Sequence, residues 1–236
     1  MTRWLSAGLL IGAGLLPASA QAATRSYTLT DFDSVRLEAP IAVSIQSRKS
    51  VAARGEGDLD LLDRLDLMVT SNLLTIRLKP SPFAQSGRKA SGPVRLFLSV
   101  PKVRRLQLEG AGSLTSDGME GQRTEIVSSG SGTVRVTGIA SDRLSVAQLG
   151  AGSISLAGKA GNASVRLSGT GALDAKALNA LDLDMTLDGA ASASALATRS
   201  AKISAVGAGS VAVDGKAACT VRHSGSGAVS CGGKDF

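Results

Sequence analysis

The chain offers few residues for acid–base or nucleophilic chemistry. It has one histidine, His223, among 236 residues. A serine hydrolase needs a histidine base beside a serine on a Gly-x-Ser-x-Gly turn, and the sequence contains no such turn. Two cysteines and one histidine are also too few, at these spacings, for a Cys/His metal site. We therefore interpret His223 as a core or capping residue, and we expect no metal site and no cofactor.

Acidic residues form one dense group, which consists of Asp174, Asp182, Asp184 and Asp188. Two carboxylates held close together can act as acid and base on a sugar chain, or can bind calcium. The alternative function is therefore a carbohydrate-active enzyme, a polysaccharide lyase or hydrolase in which adjacent turns of the chain bring Asp174 near Asp184. The short connections of this region supply no loops to wall a sugar groove. A solvated surface is the favoured interpretation, and we assign no catalytic residue.

One segment has the composition of a recognition loop. The stretch from Pro80 to Pro93 is the longest irregular part of the sequence, and it places Phe83 near Arg88 and Lys89. An exposed aromatic ring beside cations suits an anionic or glycan ligand, and loops commonly carry recognition. We therefore expect Phe83, Arg88 and Lys89 to form a ligand-binding loop.

The overall charge is compatible with an anionic partner other than nucleic acid, although arginines that solubilise strand faces are the favoured interpretation. The chain carries 26 Lys and Arg against 19 Asp and Glu, a formal net charge of +7. The excess lies in the range 25–105, since basic and acidic residues balance from residue 106 onward. Aromatic residues make up 3% of the sequence and do not interleave with the basic ones, as stacking on bases would require. The expected partner is an envelope glycan or a surface protein, and no nucleic acid.

The first 22 residues have the pattern of an export signal. Arg3 is followed by an apolar stretch from Leu5 to Leu16 and by the small-x-small site Ala18-Ser19-Ala20, and a cut after Ala22 is equally permitted. The apolar stretch is too short for a membrane-spanning helix, and no later segment is long and apolar enough for one. We expect removal of residues 1–22 and an exported protein, either periplasmic or on the cell surface.

Glycine-centred units recur every 18 to 20 residues in the second half of the chain. Their first glycines are Gly110, Gly130, Gly150, Gly169, Gly189, Gly207 and Gly225. The residues four places before and four places after each of these glycines are apolar, and the flanking segments alternate with the period of a half-buried strand. A fixed period of this length is typical of a stacked solenoid. The pattern predicts an all-β, parallel β-helix-like solenoid of about seven turns, each with two strands and two corners.

The range 25–105 is less regular but rich in strands. Alternating or apolar runs such as Ile41–Ile45 and Leu73–Leu78 are separated by turn signals. The segment from Asp58 to Arg64 predicts one or two helical turns with Asp58 as the N-cap. We expect residues 25–105 to form a strand-rich N-terminal part of the solenoid domain and residues 106–236 to form the glycine-repeat β-helix. Whether the N-terminal part is a separate layer or continues the coil is left open.

The order of these motifs resembles a known family. Phe32-Asp-Ser-Val35, Ala39-Pro-Ile-Ala-Val-Ser-Ile45, Leu73-Leu-Thr-Ile76 and the segment Val94–Pro101 precede the Gly-Ala-Gly-Ser repeats. This order is similar to the family described as putative auto-transporter adhesin, head GIN domain, over about Phe32 to Gly233. The resemblance implies a right-handed β-helix-like protein located in the bacterial envelope.

Three classes of function are compatible with this sequence. The favoured one is a non-enzymatic, exported β-solenoid of the bacterial envelope with an adhesin-like binding or scaffolding role. The carbohydrate-active enzyme is the alternative. The third class is a structural protein that self-associates through the open edge of its solenoid.

The two cysteines flank the last glycine unit symmetrically. Cys219 lies six places before Gly225 and Cys231 lies six places after it, and both offsets belong to the inward-facing set. In an exported chain, two cysteines that face each other inside one turn favour a disulfide, and two buried reduced thiols are the alternative. For so short a closed loop the disulfide would stabilise the last turn by about 3 kcal/mol.

We predict that peptide mapping of the non-reduced protein links Cys219 to Cys231. Mass spectrometry of the digest, with and without reduction, measures this directly. Recovery of two free thiols from the folded, exported protein would contradict the pairing.

Overall fold

A computed structural model describes residues 23–80 and 93–236. The expected export signal and the three residues of the expected binding loop, Phe83, Arg88 and Lys89, lie outside the described residues. The N-terminal region contains β1 (Ala23–Tyr27), β2 (Ser34–Leu37), β3 (Ala42–Ser47), β4 (Ala52–Gly57), α1 (Leu59–Arg64), β5 (Leu65–Thr70), β6 (Leu73–Leu78) and β7 (Arg95–Val100). The glycine-repeat region contains β8 (Arg105–Gly110), β9 (Ser113–Ser116), β10 (Met119–Gly130), β11 (Thr133–Gly150), β12 (Ser153–Gly169), β13 (Ala172–Gly189), β14 (Ser192–Gly207), β15 (Ser210–Asp214), β16 (Ala218–Ser224), β17 (Val229–Cys231) and β18 (Lys234–Asp235).

Each regular turn of the solenoid has three walls of parallel strand segments. The first wall consists of segments that run into a glycine corner, such as 143–150 in β11. The second wall consists of segments that leave a corner, such as 133–136, and a short third wall, such as 139–141, joins the second wall to the first. The sequence predicted two strands a turn. In the third wall Met119, Ile139 and Leu178 turn a buried side chain inward, so this stretch pairs as a strand.

The turns of the repeat region stack in sequence order. Gly130 lies opposite Gly110 and Gly150, and the same alignment continues through every corner to Gly207. The result is a parallel β-solenoid of about six turns, one fewer than the sequence predicted. The difference is the unit at Gly225, which lies in a shortened last turn between β16 and β17.

The N-terminal region continues the first and second walls in a different strand order. On the first wall, β2 lies between β6 and β8, all parallel. On the second wall, β3 lies between β7 and β9, again all parallel. The chain therefore places its first two wall strands inside the stack and adds the later strands β6 and β7 beneath them.

Antiparallel strands and a short helix close the N-terminal end. Strand β5 pairs antiparallel with β6, while β4 pairs antiparallel with both β1 and β7. Helix α1 places Leu62 in the interior with no exposed surface. The Asp58 carboxylate accepts a hydrogen bond from the Leu61 amide at 3.3 Å, so Asp58 is the N-cap that the sequence predicted.

The apolar positions around each glycine form continuous interior columns. Four places before the glycine, the side chains of Ile126, Val165 and Met185 are at most 2% exposed. Four places after it, the side chains from Leu114 to Val229 are at most 4% exposed. Val221 is partly buried because it lies in the last turn, where no further turn covers it. The predicted interior of the solenoid is confirmed.

Two polar side chains interrupt this interior on neighbouring turns. Ser128 and Gln148 lie opposite each other in register and are almost completely buried. The Gln148 amide donates to the Gly152 carbonyl, but its Oε1 atom and the Ser128 hydroxyl have no partner within the described residues. Such groups cost stability, since they lose their bonds to water without replacement.

The glycine corners are hydrogen-bonded to one another along the solenoid axis. The first glycine of every unit has a φ between +95° and +135°, which side-chain-bearing residues rarely adopt. This conformation accompanies a carbonyl that bonds to the next turn: the Gly130 carbonyl accepts from the Ala151 amide at 3.0 Å, and the Gly150 carbonyl accepts from the Thr170 amide at 3.0 Å. The corners therefore extend the strand ladders through the bends.

A disulfide closes the C-terminal end, as the sequence predicted. Cys219 in β16 and Cys231 in β17 are bonded, with their Cα atoms 6.2 Å apart. The last residues then fold back, because β18 pairs antiparallel with β17 and the Phe236 amide donates to the Val229 carbonyl at 2.9 Å.

We predict that Gly150→Ala destabilises the protein more than Gly110→Ala. Both substitutions impose a side chain on a positive φ, which costs about 1–2 kcal/mol. At Gly150 the new Cβ would also lie 2.6 Å from the Gly130 carbonyl oxygen, whereas at Gly110 it would meet no described atom within 4 Å. The close contact adds about 1–3 kcal/mol. Urea unfolding of the two variants measures the difference, and equal losses would contradict the stacking of the corners.

Candidate functional site

A polar groove runs along the edge where the third wall meets the first wall. It crosses successive turns from Arg104 to Lys202 and encloses about 1130 Å³. Three columns of residues line it, because the same three offsets before the corner glycine recur in each turn. The residues seven places before the glycine begin the first wall where the third wall ends, and we call them the third-wall rim. We call those six before the glycine the floor and those five before it the first-wall rim.

The floor is buried and mostly apolar. It contains Thr124, Leu144, Ala163 and Leu183, whose side chains are at most 4% exposed. The Thr124 hydroxyl donates to the Ser141 hydroxyl at 2.9 Å, and that hydroxyl donates to the Arg143 carbonyl at 2.9 Å. These two bonds fix the strand backbone from which the Arg143 side chain projects.

The N-terminal end of the groove contains two arginines that are paired with carboxylates. Arg104 donates to Asp33 through Nε at 2.8 Å and also through Nη2. On the first-wall rim, the Arg105 Nε atom lies 2.8 Å from the Glu125 carboxylate. The first pair joins the residues that directly precede β2 and β8, and the second joins β8 to β10 across the end of the groove.

The third-wall rim begins with two further arginines, Arg123 and Arg143. They are Cα partners on adjacent strands, and both side chains are exposed and line the groove. Within residues 23–80 and 93–236, neither guanidinium has an ion-pair or hydrogen-bond partner. The adjacent Asp142 does not line the groove. The rim therefore presents two uncompensated positive charges side by side.

The C-terminal half of the groove is polar and partly acidic. Ser145 and Ser164 continue the first-wall rim up to Asp184, which lies opposite Lys202 on the next strand. On the third-wall rim, Asn162 leads to Asp182. The groove thus changes from cationic to mixed charge along its length.

Asp182 is held in the ionised form by its neighbours. Arg199 donates to it through Nε at 2.8 Å and through Nη2, and the Ser200 hydroxyl donates to it at 2.7 Å. The Arg199 hydrogen bonds, followed by the Ser200 bond, lower the pKa of Asp182 from 3.8 to about 2. A carboxyl with so low a pKa is a poor proton donor near neutral pH.

The structure does not bring Asp174 near Asp184. Asp174 lies on the second wall between Ser155 and Ser194, whereas Asp184 lies on the first wall between Ser164 and Lys202. The carboxylate pair of the alternative function is therefore not formed: Asp174 follows a corner glycine by five places and Asp184 precedes the next one by five, so they face outward from different walls.

His223, Cys219 and Cys231, which the sequence also singled out, lie away from the groove. His223 is half-buried in the interior column of the last turn, opposite Ala205, and its Nε2 atom has no partner among the described residues. Pro80 and Pro93, the described ends of the expected binding loop, do not line the groove. Cys219 and Cys231 form the C-terminal disulfide.

Sequence reasoning missed the groove, although a signal for it was present. The hydrophobic offsets define the interior, and the position seven before each glycine is never apolar from Arg123 to Ser200. Its members are Arg123, Arg143, Asn162, Asp182 and Ser200. Reading this offset down the repeats would have shown two arginines stacked on adjacent turns.

Neither a cluster of metal-ligating side chains nor a membrane-spanning helix is found in the part of the chain that the structure describes. Its His, Cys, Asp and Glu side chains form no group of three or more that could hold a metal ion. None of its helices has the length and apolar character needed to span a membrane.

Comparison with known families identifies the relatives of this chain. A family model described as "Putative auto-transporter adhesin, head GIN domain" matches residues 31–217. The chain belongs to this family. The match extends from before β2 to beyond β15, so the resemblance in motif order is confirmed. A comparison with curated protein sequences finds no match.

Several solved structures share the fold of this head GIN domain protein. A "putative adhesin" from Bacteroides fragilis has a TM-score of 0.78 at 19% identity, covering 89% of this chain and 96% of that chain. A "putative lipid binding protein" from Parabacteroides distasonis has a TM-score of 0.69 at 20% identity, covering 89% and 96%. A "putative adhesin" from Parabacteroides merdae has a TM-score of 0.64 at 17% identity, covering 89% and 95%. These proteins are described as adhesins or binding proteins and not as enzymes.

We predict that the stability contributed by Asp182 depends on pH. The folded-state pKa of about 2 lies below the ordinary value of 3.8, so the contribution is complete above pH 3.8 and is lost as the pH falls toward 2. Asp182→Asn should lower the melting temperature at pH 6, and the difference from the parent protein should shrink toward zero near pH 2. Thermal unfolding followed by circular dichroism measures it.

Asp188→Asn is the matched control, because Asp188 is exposed and has no ion pair within the described residues. If the difference in melting temperature between Asp182→Asn and the parent stays constant down to pH 2, the lowered pKa of Asp182 is contradicted.

Proposed function

We propose that this protein is a non-enzymatic binding module of the bacterial envelope, exported and adhesin-like, that holds an extended ligand against the side of its solenoid. The observation that carries the proposal is the polar groove, which repeats the same three columns over successive turns. A surface that repeats at the strand spacing of about 4.8 Å suits a ligand with its own repeat, such as a glycan chain.

Export is supported by two independent features. The first 22 residues have the charge, apolar run and small residues of an export signal. The disulfide between Cys219 and Cys231 is of a kind that persists in oxidising compartments and is rare in the cytosol. The periplasm and the cell surface both satisfy these features.

The arrangement of carboxylates disfavours the alternative of a carbohydrate-active enzyme. Asp174 and Asp184 lie on different walls, and Asp182 is engaged by Arg199 and Ser200. An acid–base pair needs one carboxyl with a raised pKa, and the pKa of Asp182 is lowered instead. The groove therefore has the features of a binding surface and not of a hydrolytic site.

The loop from Pro80 to Pro93 is proposed as a second contact with the ligand. Its composition supports this role, since Phe83 offers an apolar surface and Arg88 and Lys89 offer positive charge.

We predict that the purified mature protein sediments with a bacterial envelope fraction, and that the triple variant Phe83→Ala, Arg88→Ala, Lys89→Ala loses most of this retention. The loss is expected to be on the order of tenfold, since one aromatic and two charged contacts are removed. The matched control is Phe97→Ala, Arg135→Ala, Lys216→Ala, which removes the same residue types from exposed positions outside the groove.

The outcomes of this experiment separate the two parts of the proposal. If the parent protein is not retained, the binding function is wrong. If the parent and the loop variant are retained equally, the function stands and the loop contact is wrong. If the control variant loses as much retention as the loop variant, retention depends on total charge and not on the loop.

A further inference from the structure

The arginine pair on the third-wall rim of the groove is a charge arrangement that the fold itself does not use. Arg123 and Arg143 stand side by side on adjacent turns, one strand spacing apart, with exposed guanidinium groups. Two like charges on neighbouring strands repel each other, and an anion bound between them relieves the repulsion. No carboxylate of the described residues provides one, because no ion pair includes either side chain.

The other arginines around the groove differ from this pair. Arg104 binds Asp33, Arg105 binds Glu125, and Arg199 binds Asp182. Each of these ion pairs joins strands of different turns, which is a structural task. Arg123 and Arg143 have no equivalent task among the described residues, so their positive charge is available to a ligand.

We propose that Arg123 and Arg143 bind an anionic substituent of an acidic glycan whose chain lies along the groove. This inference rests on the proposed binding function and names the ligand class. A guanidinium group can donate two parallel hydrogen bonds to a carboxylate or a sulfate. Two guanidinium groups on consecutive turns can therefore hold one anionic group between them, or two groups on consecutive units of a chain.

The rest of the groove matches the uncharged part of such a ligand. Beyond Arg143 the rims carry Ser145, Asn162 and Ser164, whose hydroxyl and amide groups donate and accept hydrogen bonds to sugar hydroxyls. The floor beneath them is closed by the buried side chains of Leu144 and Ala163, so the ligand contacts the two rims.

The far end of the groove sets the orientation of the chain. Asp182 and Asp184 lie there, and Asp182 stays ionised because its pKa is lowered to about 2. The Asp182 charge is matched by Arg199, and Asp184 lies opposite Lys202, so this end carries no excess of positive charge for an anionic group. The anionic substituent of the ligand therefore lies at the arginine end.

Other ligand classes fit the groove less well. A single-stranded nucleic acid needs aromatic side chains for base stacking, and none lines the groove among the described residues. A lipid chain needs a continuous apolar channel, whereas both rims here are polar or charged. An acidic glycan needs cations together with hydrogen-bonding partners for its hydroxyl groups, and the groove supplies both.

The test compares the double variant Arg123→Gln, Arg143→Gln with a control that changes the total charge equally. Arg135→Gln, Arg222→Gln is that control, because both arginines are exposed and neither lines the groove. The probes are polygalacturonate for carboxylates, dextran sulfate for sulfates, unmodified dextran as the neutral chain, and phosphatidylglycerol vesicles as an anionic lipid surface. Isothermal titration calorimetry on the mature protein gives the affinities, and thermal unfolding verifies that the variants are folded.

We expect the parent protein to bind at least one of the two charged glycans and not to bind unmodified dextran. The double variant should lose at least tenfold in affinity, since two charge-assisted hydrogen-bonding groups are removed, and the control should change by less than about threefold. Equal losses in both variants, or no binding of either charged glycan, would overturn the inference. Binding to the vesicles without binding to the glycans would overturn the ligand class.

The envelope-retention experiment distinguishes a failure of this inference from a failure of the proposed function. If the parent and the double variant are retained equally, the protein binds the envelope by other residues and the role of the arginine pair is wrong. If the parent is not retained at all, the proposed function and this inference are both wrong.

Discussion

The hydrogen bonds between successive glycine corners are the constraint on which the whole solenoid depends. A strand ladder that stopped at each bend would leave corner amides and carbonyls without partners in every turn. Here the ladder of hydrogen bonds continues through the bend, because each corner carbonyl points along the solenoid axis to an amide of the next turn. That geometry requires a positive φ, and a Cβ added to any corner glycine from Gly130 to Gly225 would lie only 2.0–2.7 Å from the carbonyl oxygen below. Glycine is the residue that satisfies both demands.

This constraint also fixes the register of the groove. Because every corner aligns with the next, residues at the same distance before the glycine lie in straight columns on the outer surface. The repeat period therefore determines which side chains lie next to each other on the rim, and these are residues about twenty positions apart in the sequence. Arg123 and Arg143 are twenty residues apart in the chain and are still direct neighbours. The repeat period that aligns the interior side chains therefore also aligns the polar side chains on the outer surface.

The sequence predicts those features of the structure that share this period. The interior columns, the glycine corners and the Cys219–Cys231 bond all follow from offsets measured from one glycine to the next, and the structure confirms them. The N-terminal strand order does not follow, because β2 and β3 pair with strands that are not adjacent in sequence and no repeat marks the partners. The suggested Asp174–Asp184 pair does not form, because the distance of a residue from the corner glycine determines the wall on which it lies. Asp174 and Asp184 are close in sequence but lie on different walls. The groove was missed because hydrophobic periodicity carries no information about which polar residues stack.

The two ends of the solenoid are closed by different physical means. At the N-terminal end, α1 inserts Leu62 and antiparallel strands cover the edge, so cohesion there depends on packing and hydrogen bonds. At the C-terminal end, a covalent bond holds β16 to β17. In a solenoid each turn supports only its neighbours, so loosening begins at an end and spreads inward. The two ends of the molecule therefore respond differently to their surroundings. A reductant loosens only the C-terminal turn, whereas heat or denaturant loosens both ends.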